Sequence, residues 1–197
     1  MAISKIKSES EIGTHNWMAM LQYECILGFH AKEYGLCSDA IKTVKKYKTS
    51  QKESWLIYEA YLYLFNHLGK YDKKRFRLGK FLNEVPAYSK DKKGMNINIL
   101  IIQILVLLKD RRWPVIVDRI DALKAYTYRH LKNESTFRSD TFLSMLAVLP
   151  KAAFQRDQVE GKTKDLHLQL QESPILSVDF EIVPYEDLWD FVLELLI

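Results

Sequence analysis

The hydrophobic pattern of this chain is mainly that of α-helices, with apolar residues three and four positions apart. The first predicted helix runs from His15 to Tyr34 with Thr14 as its N-cap, and its apolar residues cover more than one face. A shorter and more basic helix is predicted from Ser38 to Tyr47. A helix that is apolar on several faces is expected to be covered by neighbours on at least two sides.

The stretch from residue 54 to residue 86 predicts two amphipathic helices joined by a turn, which is an αα-hairpin. Gly69 has the conformational freedom to end the first helix, and Pro86 cannot continue the second. The turn and the C-terminal end of this hairpin are both marked in the sequence, so the helices of the rest of the chain can be compared with it.

The second half of the chain predicts further helices. The most apolar run, Met95 to Leu108, is only about 21 Å long as a helix, which is short of a bilayer core, so we expect a buried central helix. The other predicted helices are residues 115–131 after Pro114, residues 136–149 before Pro150, residues 151–172 with a weak point at Gly161, and a closing helix that starts at Pro184.

Residues Leu176–Ile182 alternate between apolar and polar, which is the period of a half-buried strand. The alternation places Asp179 and Glu181 on the open side. Because one strand cannot satisfy its own backbone groups, three arrangements stay open: pairing with a second copy, pairing with a domain missing from this chain, or an extended segment over the helices. The first arrangement would make a homodimer.

Two glycines, Gly35 and Gly69, lie 34 residues apart, and each is expected to close an apolar helix. The pattern resembles the tetratricopeptide repeat (TPR) over roughly residues 22 to 86. The resemblance implies an all-α, right-handed solenoid of about three to four helical hairpins with a C-terminal capping helix. We accordingly expect a flexible lead-in over residues 1–13 and a single TPR-like domain over residues 14–197. The residues that carry the resemblance are Leu27, Gly28, Gly35 and Ala40 in one copy and Gly69, Tyr71, Asp72 and Pro86 in the next.

In this family the first helix of each repeat lines a groove that takes a peptide or a partner's helix. The resemblance therefore implies a non-catalytic protein-interaction or scaffold module, whose mixture of aromatic, amide and charged side chains suits a peptide. An alternative is that these residues face other helices or a missing domain. The implied partner-binding residues are Gln22, Phe29, Lys32 and Glu33 from the first copy, and Glu59, Tyr63, Asn66 and His67 from the second.

Charge is unevenly distributed along the chain. Residues 1–132 carry 24 Lys and Arg against 13 Asp and Glu, whereas residues 133–197 carry 5 against 12. Nucleic-acid binding through the basic residues of the second helices is the alternative function, because a row of cations can bind phosphates with counterion release. This basic stripe comprises Lys42, Lys45, Lys46 and Lys48 in one helix, and Lys70, Lys73, Lys74, Arg75, Arg77 and Lys80 in the next.

The sequence shows none of the common motifs of catalytic sites. The seven glycines are scattered rather than grouped into a phosphate-binding loop, and the five histidines lack metal-ligand spacing. The sequence therefore predicts no enzyme, no cofactor and no metal. Cys25 and Cys37 are expected to be reduced thiols, and the first thirteen residues lack the apolar run of a signal peptide. A cytoplasmic protein with no membrane partner is the resulting expectation.

Overall fold

The computed structural model describes residues 12–47, 52–65, 81, 95–130, 136–176 and 181–197, with the backbone alone for 52–54 and 126–130. Its contacts divide the chain into two compact units, Met1–Pro86 and Ala87–Ile197. Regular structure among the described residues is entirely helical, so the expectation of an all-α protein is confirmed. The lead-in over residues 1–13, the single domain and the solenoid arrangement stay predictions, and residues 1–11 lie outside the described residues.

The first unit contains three described α-helices. Thr14 caps the first of them as expected, since its Oγ1 accepts a hydrogen bond from the Trp17 amide at 3.3 Å. The third helix starts the predicted central hairpin, but Gly69 and Pro86, its turn and its stop, lie outside the described residues. The three helices are α1 (His15–His30), α2 (Tyr34–Lys46) and α3 (Lys52–Phe65).

The turn between α1 and α2 lies earlier than the sequence predicted. It is formed by Ala31, Lys32 and Glu33, and Lys32 adopts the left-handed conformation at φ 58°. The Glu33 amide donates to the Gly28 carbonyl at 2.8 Å and the Lys32 amide donates to the Phe29 carbonyl at 3.1 Å, which is a Schellman motif. The prediction that Gly35 closes the helix was wrong, because Gly35 lies within α2.

Close packing of α1 against α2 depends on Gly28. A Cβ atom added there would lie 3.1 Å from the Glu33 carbonyl oxygen and 3.2 Å from both the Cys37 amide nitrogen and the Leu36 Cβ. Two of these three neighbours are backbone atoms, which cannot move without separating the helices. The absence of a side chain at position 28 therefore sets the spacing of this hairpin.

Cys25 on α1 and Cys37 on α2 are fully buried, and their sulfur atoms lie against each other. The expectation of two separate cysteines was therefore wrong, while their reduced state stays a prediction. The close approach at Gly28 places the two helices side by side, and that approach brings together cysteines separated by 12 positions in the sequence. The predicted cytoplasmic location stays a prediction.

The second unit contains five described α-helices and one short 3-10 helix. In the first of them every side chain from Ile97 to Leu108 except that of Leu100 is buried, so the predicted buried central helix is confirmed. No helix in the described part of the chain is long and apolar enough to cross a membrane. The helices are α4 (Met95–Lys109), α5 (Trp113–His130), α6 (Phe137–Leu146), the 3-10 helix (Pro150–Ala152), α7 (Arg156–Glu172) and α8 (Tyr185–Leu195).

The closing helix α8 begins directly after Pro184, as predicted, and contacts α4, α6 and α7. Its inward face includes Leu188, Trp189 and Val192, each at most 1% exposed. Burying such large apolar side chains contributes about 1.5 to 3 kcal/mol each, so α8 covers the apolar surface of the second unit.

The predicted strand at Leu176–Ile182 is only partly described, because residues 177–180 lie outside the described residues. Leu176 is 62% exposed and Ile182 is buried, and neither is in a strand. The expectation that Glu181 faces the open side was wrong, because Glu181 is only 2% exposed. Pairing of this segment with a second copy or a missing domain stays a prediction.

Candidate functional site

The predicted partner-binding residues of α1 begin with Phe29, which lies in the core and is fully buried. Its ring packs against those of Tyr34 and Tyr61, with centroids 6.2 Å and 6.0 Å away. Tyr34 also stacks on Phe65 at 5.8 Å. These four rings bring the C-terminal end of α1 next to the C-terminal half of α3, although Phe29 itself offers no surface to a partner.

The other predicted residues of the first copy lie nearer to solvent. Gln22 is half-buried on α1, while Lys32 and Glu33 are exposed in the turn after it. Because Tyr34 follows this turn and stacks on Phe65, the turn lies beside the end of α3. The structure thus places the charged residues of the first copy close to the helix that carries the second set.

The predicted residues of the second copy are partly accessible. Glu59 and Tyr63 lie one turn apart on α3, and the Tyr63 side chain is 37% exposed. The Glu59 carboxylate accepts a hydrogen bond from Lys45 Nζ of α2 at 2.8 Å. Asn66 and His67 lie outside the described residues. Of the six predicted side chains that the structure describes, the exposed ones are Lys32 and Glu33 in the turn and Tyr63 on α3.

Sequence reasoning missed an apolar surface on α1, here named the α1 stripe, which is formed by the exposed Tyr23 and Leu27 and the half-buried Met20. Tyr23 is 51% exposed and Leu27 is 48% exposed. Their spacing of three and four residues places them on one face, opposite the buried residues of the same helix. The signal was available in the sequence, because the apolar residues of α1 cover more than one face and only part of such a surface can face one hairpin partner.

A second surface is a groove between α7 and α8 in the second unit, which sequence reasoning also missed. It has a volume of about 660 Å³ and is lined by α7 residues from Asp157 to Gln171 and by Trp189 and Leu193 of α8. Leu168, at 53% exposure, adds an apolar side chain to the wall. The volume lies within the range of about 300–1,000 Å³ that is usual for ligand sites.

The two walls of this groove are held in place by a buried guanidinium group on α6. Arg138 donates from Nε and one Nη to the two Glu181 oxygens at 2.8 and 2.7 Å, and to Glu186 of α8 at 2.7 Å. Its other Nη donates to the carbonyl oxygens of Leu170 and Ser173 at the end of α7. A single side chain thus joins α6, α7 and the start of α8.

Burial and hydrogen bonding act in opposite directions on this cluster. Burial by itself lowers the pKa of Arg138, but the hydrogen bonds that its guanidinium group donates to Glu181 and Glu186, together with their negative charges, outweigh burial and raise the pKa above its ordinary value. Glu181 also accepts a hydrogen bond from the Tyr185 amide at 2.8 Å, and the Tyr185 hydroxyl bonds to Ser139 at the same distance. Burial raises the pKa of Tyr185 above 10.0. Arg138 therefore stays protonated and charged, and the Tyr185 hydroxyl stays protonated and neutral. The role of this cluster is structural.

The described part of the basic stripe is largely engaged within the protein. Lys42 pairs with Asp39 at 3.2 Å and Lys45 pairs with Glu59 at 2.8 Å. Lys46 lies 5.6 Å from the centre of the Tyr47 ring. Lys48 and the basic residues from Lys70 to Lys80 lie outside the described residues. The cations described on α2 are thus partly neutralised by their own neighbours.

Within the described residues, no group of three or more His, Cys, Asp or Glu side chains is placed to hold a metal ion. Comparisons with protein-family models, with curated proteins and with solved structures found no match to this chain. In the described part of the chain, the α1 stripe and the groove between α7 and α8 are accessible apolar surfaces where a partner can bind.

Proposed function

We propose that this chain is a non-catalytic protein-interaction module that binds a peptide or partner protein through the surface around α1 and α3. The observation that carries the proposal is the α1 stripe, where Tyr23 and Leu27 are each about half exposed on one helix face. Contiguous apolar surface that remains exposed in a folded protein is a common mark of a binding site. Aromatic residues such as Tyr23 are also enriched among the residues that contribute most to binding.

The proposal includes a TPR-like solenoid in a cytoplasmic protein, with α1 and α3 as the first helices of successive hairpins. In that arrangement the turn after α1 and the predicted residues of α3 border one groove, and the α1 stripe adds an apolar surface on the opposite face of α1. Lys32, Glu33 and Tyr63 are exposed and supply this groove with both charges and a hydroxyl group. Such a mixture suits the backbone and side chains of an extended peptide better than a purely apolar ligand.

Nucleic-acid binding has less support. Two of the described lysines of α2 pair with Asp39 and Glu59, which lowers the net positive charge of this helix, although the exposed pairs are weak. The other basic residues of the stripe, from Lys70 to Lys80, are close together in the sequence. The experiment below therefore also tests for nucleic-acid binding.

The proposal is tested by replacing Tyr23 and Leu27 together with Ser, both exposed positions where the fold should tolerate a polar residue. Affinity capture from the source cell, with and without nuclease, is followed by mass spectrometry. We expect the amount of partner protein captured by the double variant to fall by about tenfold or more, because two central apolar contacts are removed. Circular dichroism should show unchanged helix content.

The matched control is Phe137→Ser, because Phe137 is 47% exposed on α6 and has no place in the proposed surface. It should capture the same partners as the unaltered protein. Capture that is abolished by nuclease, or by salt above about 0.3 M, would instead favour the nucleic-acid function through its counterion release.

A further inference from the structure

We propose that the groove between α7 and α8 binds a cationic amphipathic helix of a partner protein, with apolar side chains in the groove and Lys or Arg side chains at its rim. This inference goes beyond the proposed function, because it concerns the second unit and a different surface. It rests on three features of the groove, which are its apolar floor, an unexplained glycine and its charge.

The floor of the groove contains a small cluster of apolar side chains. Leu168 of α7 is 53% exposed, Leu193 of α8 is half-buried beside it, and Trp189, one turn earlier on α8, reaches the groove only with its edge because it is 1% exposed. The α7 residues that line the groove run from Asp157 to Gln171, which is about 21 Å along the helix axis. A groove of this length fits several turns of a partner helix, whose apolar residues recur every three or four positions.

Gly161 lies inside α7, where glycine is unfavourable because it loses more backbone freedom than other residues do. Packing within the chain does not require it, since a Cβ atom added at this position would meet nothing within 4 Å. Gly28 is the contrasting case, because its added Cβ would lie within 3.2 Å of three atoms of the protein. The open space above Gly161 is part of the groove, and a partner's side chain can approach the α7 backbone there.

The charge of the groove selects a cationic partner. Asp157, Glu160 and Asp165 line it against a single lysine, Lys164. Glu160 pairs with Arg156 at 2.9 Å, but both side chains are about half exposed, so the pair is weak. The last 33 residues, which include α8, contain no Lys or Arg. An acidic rim around an apolar floor favours a partner that has Lys or Arg beside its apolar residues.

The test uses two synthetic helical peptides with the same amphipathic pattern, one of Leu and Lys and the other of Leu and Glu. Binding of each fluorescently labelled peptide to the full chain is measured by anisotropy. We expect the Leu/Lys peptide to bind at least about tenfold more tightly than the Leu/Glu peptide. Replacing Asp157 and Asp165 with Asn should weaken binding of the Leu/Lys peptide and reduce its dependence on salt.

The variant Gly161→Leu separates the groove from general electrostatic attraction, because it fills the open space and leaves every charge in place. We expect it to weaken binding of the Leu/Lys peptide by at least about tenfold. Its thermal midpoint should equal or exceed that of the unaltered protein, since Leu favours a helix more than Gly does. The matched control is Gln158→Leu, an exposed position of α7 outside the groove, which should bind as the unaltered protein does.

Several results would overturn the inference. Equal binding of the two peptides would show that charge does not select the partner. Unchanged binding of the Leu/Lys peptide by Gly161→Leu would show that the groove is not the binding site. Self-association in sedimentation that Gly161→Leu abolishes would identify a second copy of the chain as the occupant. The Tyr23 and Leu27 double variant should bind the Leu/Lys peptide normally, so a failure here is distinguishable from a failure of the proposed function.

Discussion

In the described part of the chain, Phe154 has a left-handed backbone at φ 57°, and so do three other residues with side chains at helix ends. They are Lys32 at φ 58°, Arg111 at φ 54° and Ala153 at φ 47°. Each is followed by an amide that donates to the carbonyl oxygen five residues earlier, as in the bond from Arg112 to Leu107. The Schellman motif usually places Gly at the left-handed position, since other residues pay a steric cost there. Here that cost is offset by the hydrogen bonds and the helix packing that the motif allows.

The cost at Lys32 can be measured. Lys32→Gly removes the contact between Cβ and the following carbonyl, so we expect the free energy of unfolding to rise by about 1 kcal/mol. Urea unfolding followed by circular dichroism provides the measurement. Lys32→Ala keeps the Cβ atom and is the control, for which we expect little change. An equal gain from both substitutions would show that the lysine side chain, not the backbone conformation, is unfavourable.

At the scale of the elements, α8 shows how one amphipathic helix completes the second unit. Its buried face meets three other helices, and its exposed residues include Asp190 and Glu194. The acidic residues Glu186 and Asp187 lie in its first turn, where they interact favourably with the helix dipole. Sequence periodicity predicted this helix and its start after Pro184 correctly, because both depend on local chemistry.

The contribution of α8 is tested with Trp189→Ala. The Trp189 side chain is 1% exposed, and truncation would leave a large cavity between α8 and its neighbours. We expect a loss of about 3 to 5 kcal/mol in the free energy of unfolding, measured by urea denaturation. Asp190→Ala, at the next and exposed position, should change it by less than about 0.5 kcal/mol. A loss below about 1 kcal/mol for Trp189→Ala would mean that this side chain is not part of the core.

At the scale of the whole molecule, the hydrogen bonds of Arg138 join helices that are far apart in the sequence. Arg138 binds Glu181 and Glu186, which follow it by 43 and 48 positions. It also reaches the backbone at Leu170 and Ser173. A buried charge is tolerated only when it is paired and hydrogen-bonded. Here each nitrogen of the guanidinium group donates to a carboxylate or a backbone carbonyl oxygen.

Removal of this charge is expected to be costly. Arg138→Met fills a similar volume but leaves the Glu181 carboxylate buried without its cation, so we expect a loss of about 3 to 5 kcal/mol in the free energy of unfolding. The double variant Arg138→Met with Glu181→Gln restores a neutral pair and keeps an acceptor for the Tyr185 amide. Urea unfolding should show it to be more stable than Arg138→Met alone. A double variant that is less stable than the single one would contradict the role given to the unpaired charge.

The candidate sites show where prediction from the sequence stopped. The α1 stripe is implicit in a helix that is apolar on more than one face, but the sequence assigned Phe29 to the groove and left out Tyr23, because only the structure shows which of the two is buried. Phe29 is enclosed by rings from α2 and α3, whereas Tyr23 faces away from α2. The groove between α7 and α8 could not be predicted, because no local pattern specifies how two helices are spaced.

The sequence by itself determined the helices, since their periodicity, the Thr14 cap and the prolines at their ends act over a few residues. Only the tertiary structure decided which residue turns left-handed after α1, that Cys25 meets Cys37, and that Glu181 is buried. Each of these outcomes depends on a contact with another segment of the chain. A side chain's own chemistry limits what it can do, but its burial and its partners are set by the elements that pack around it.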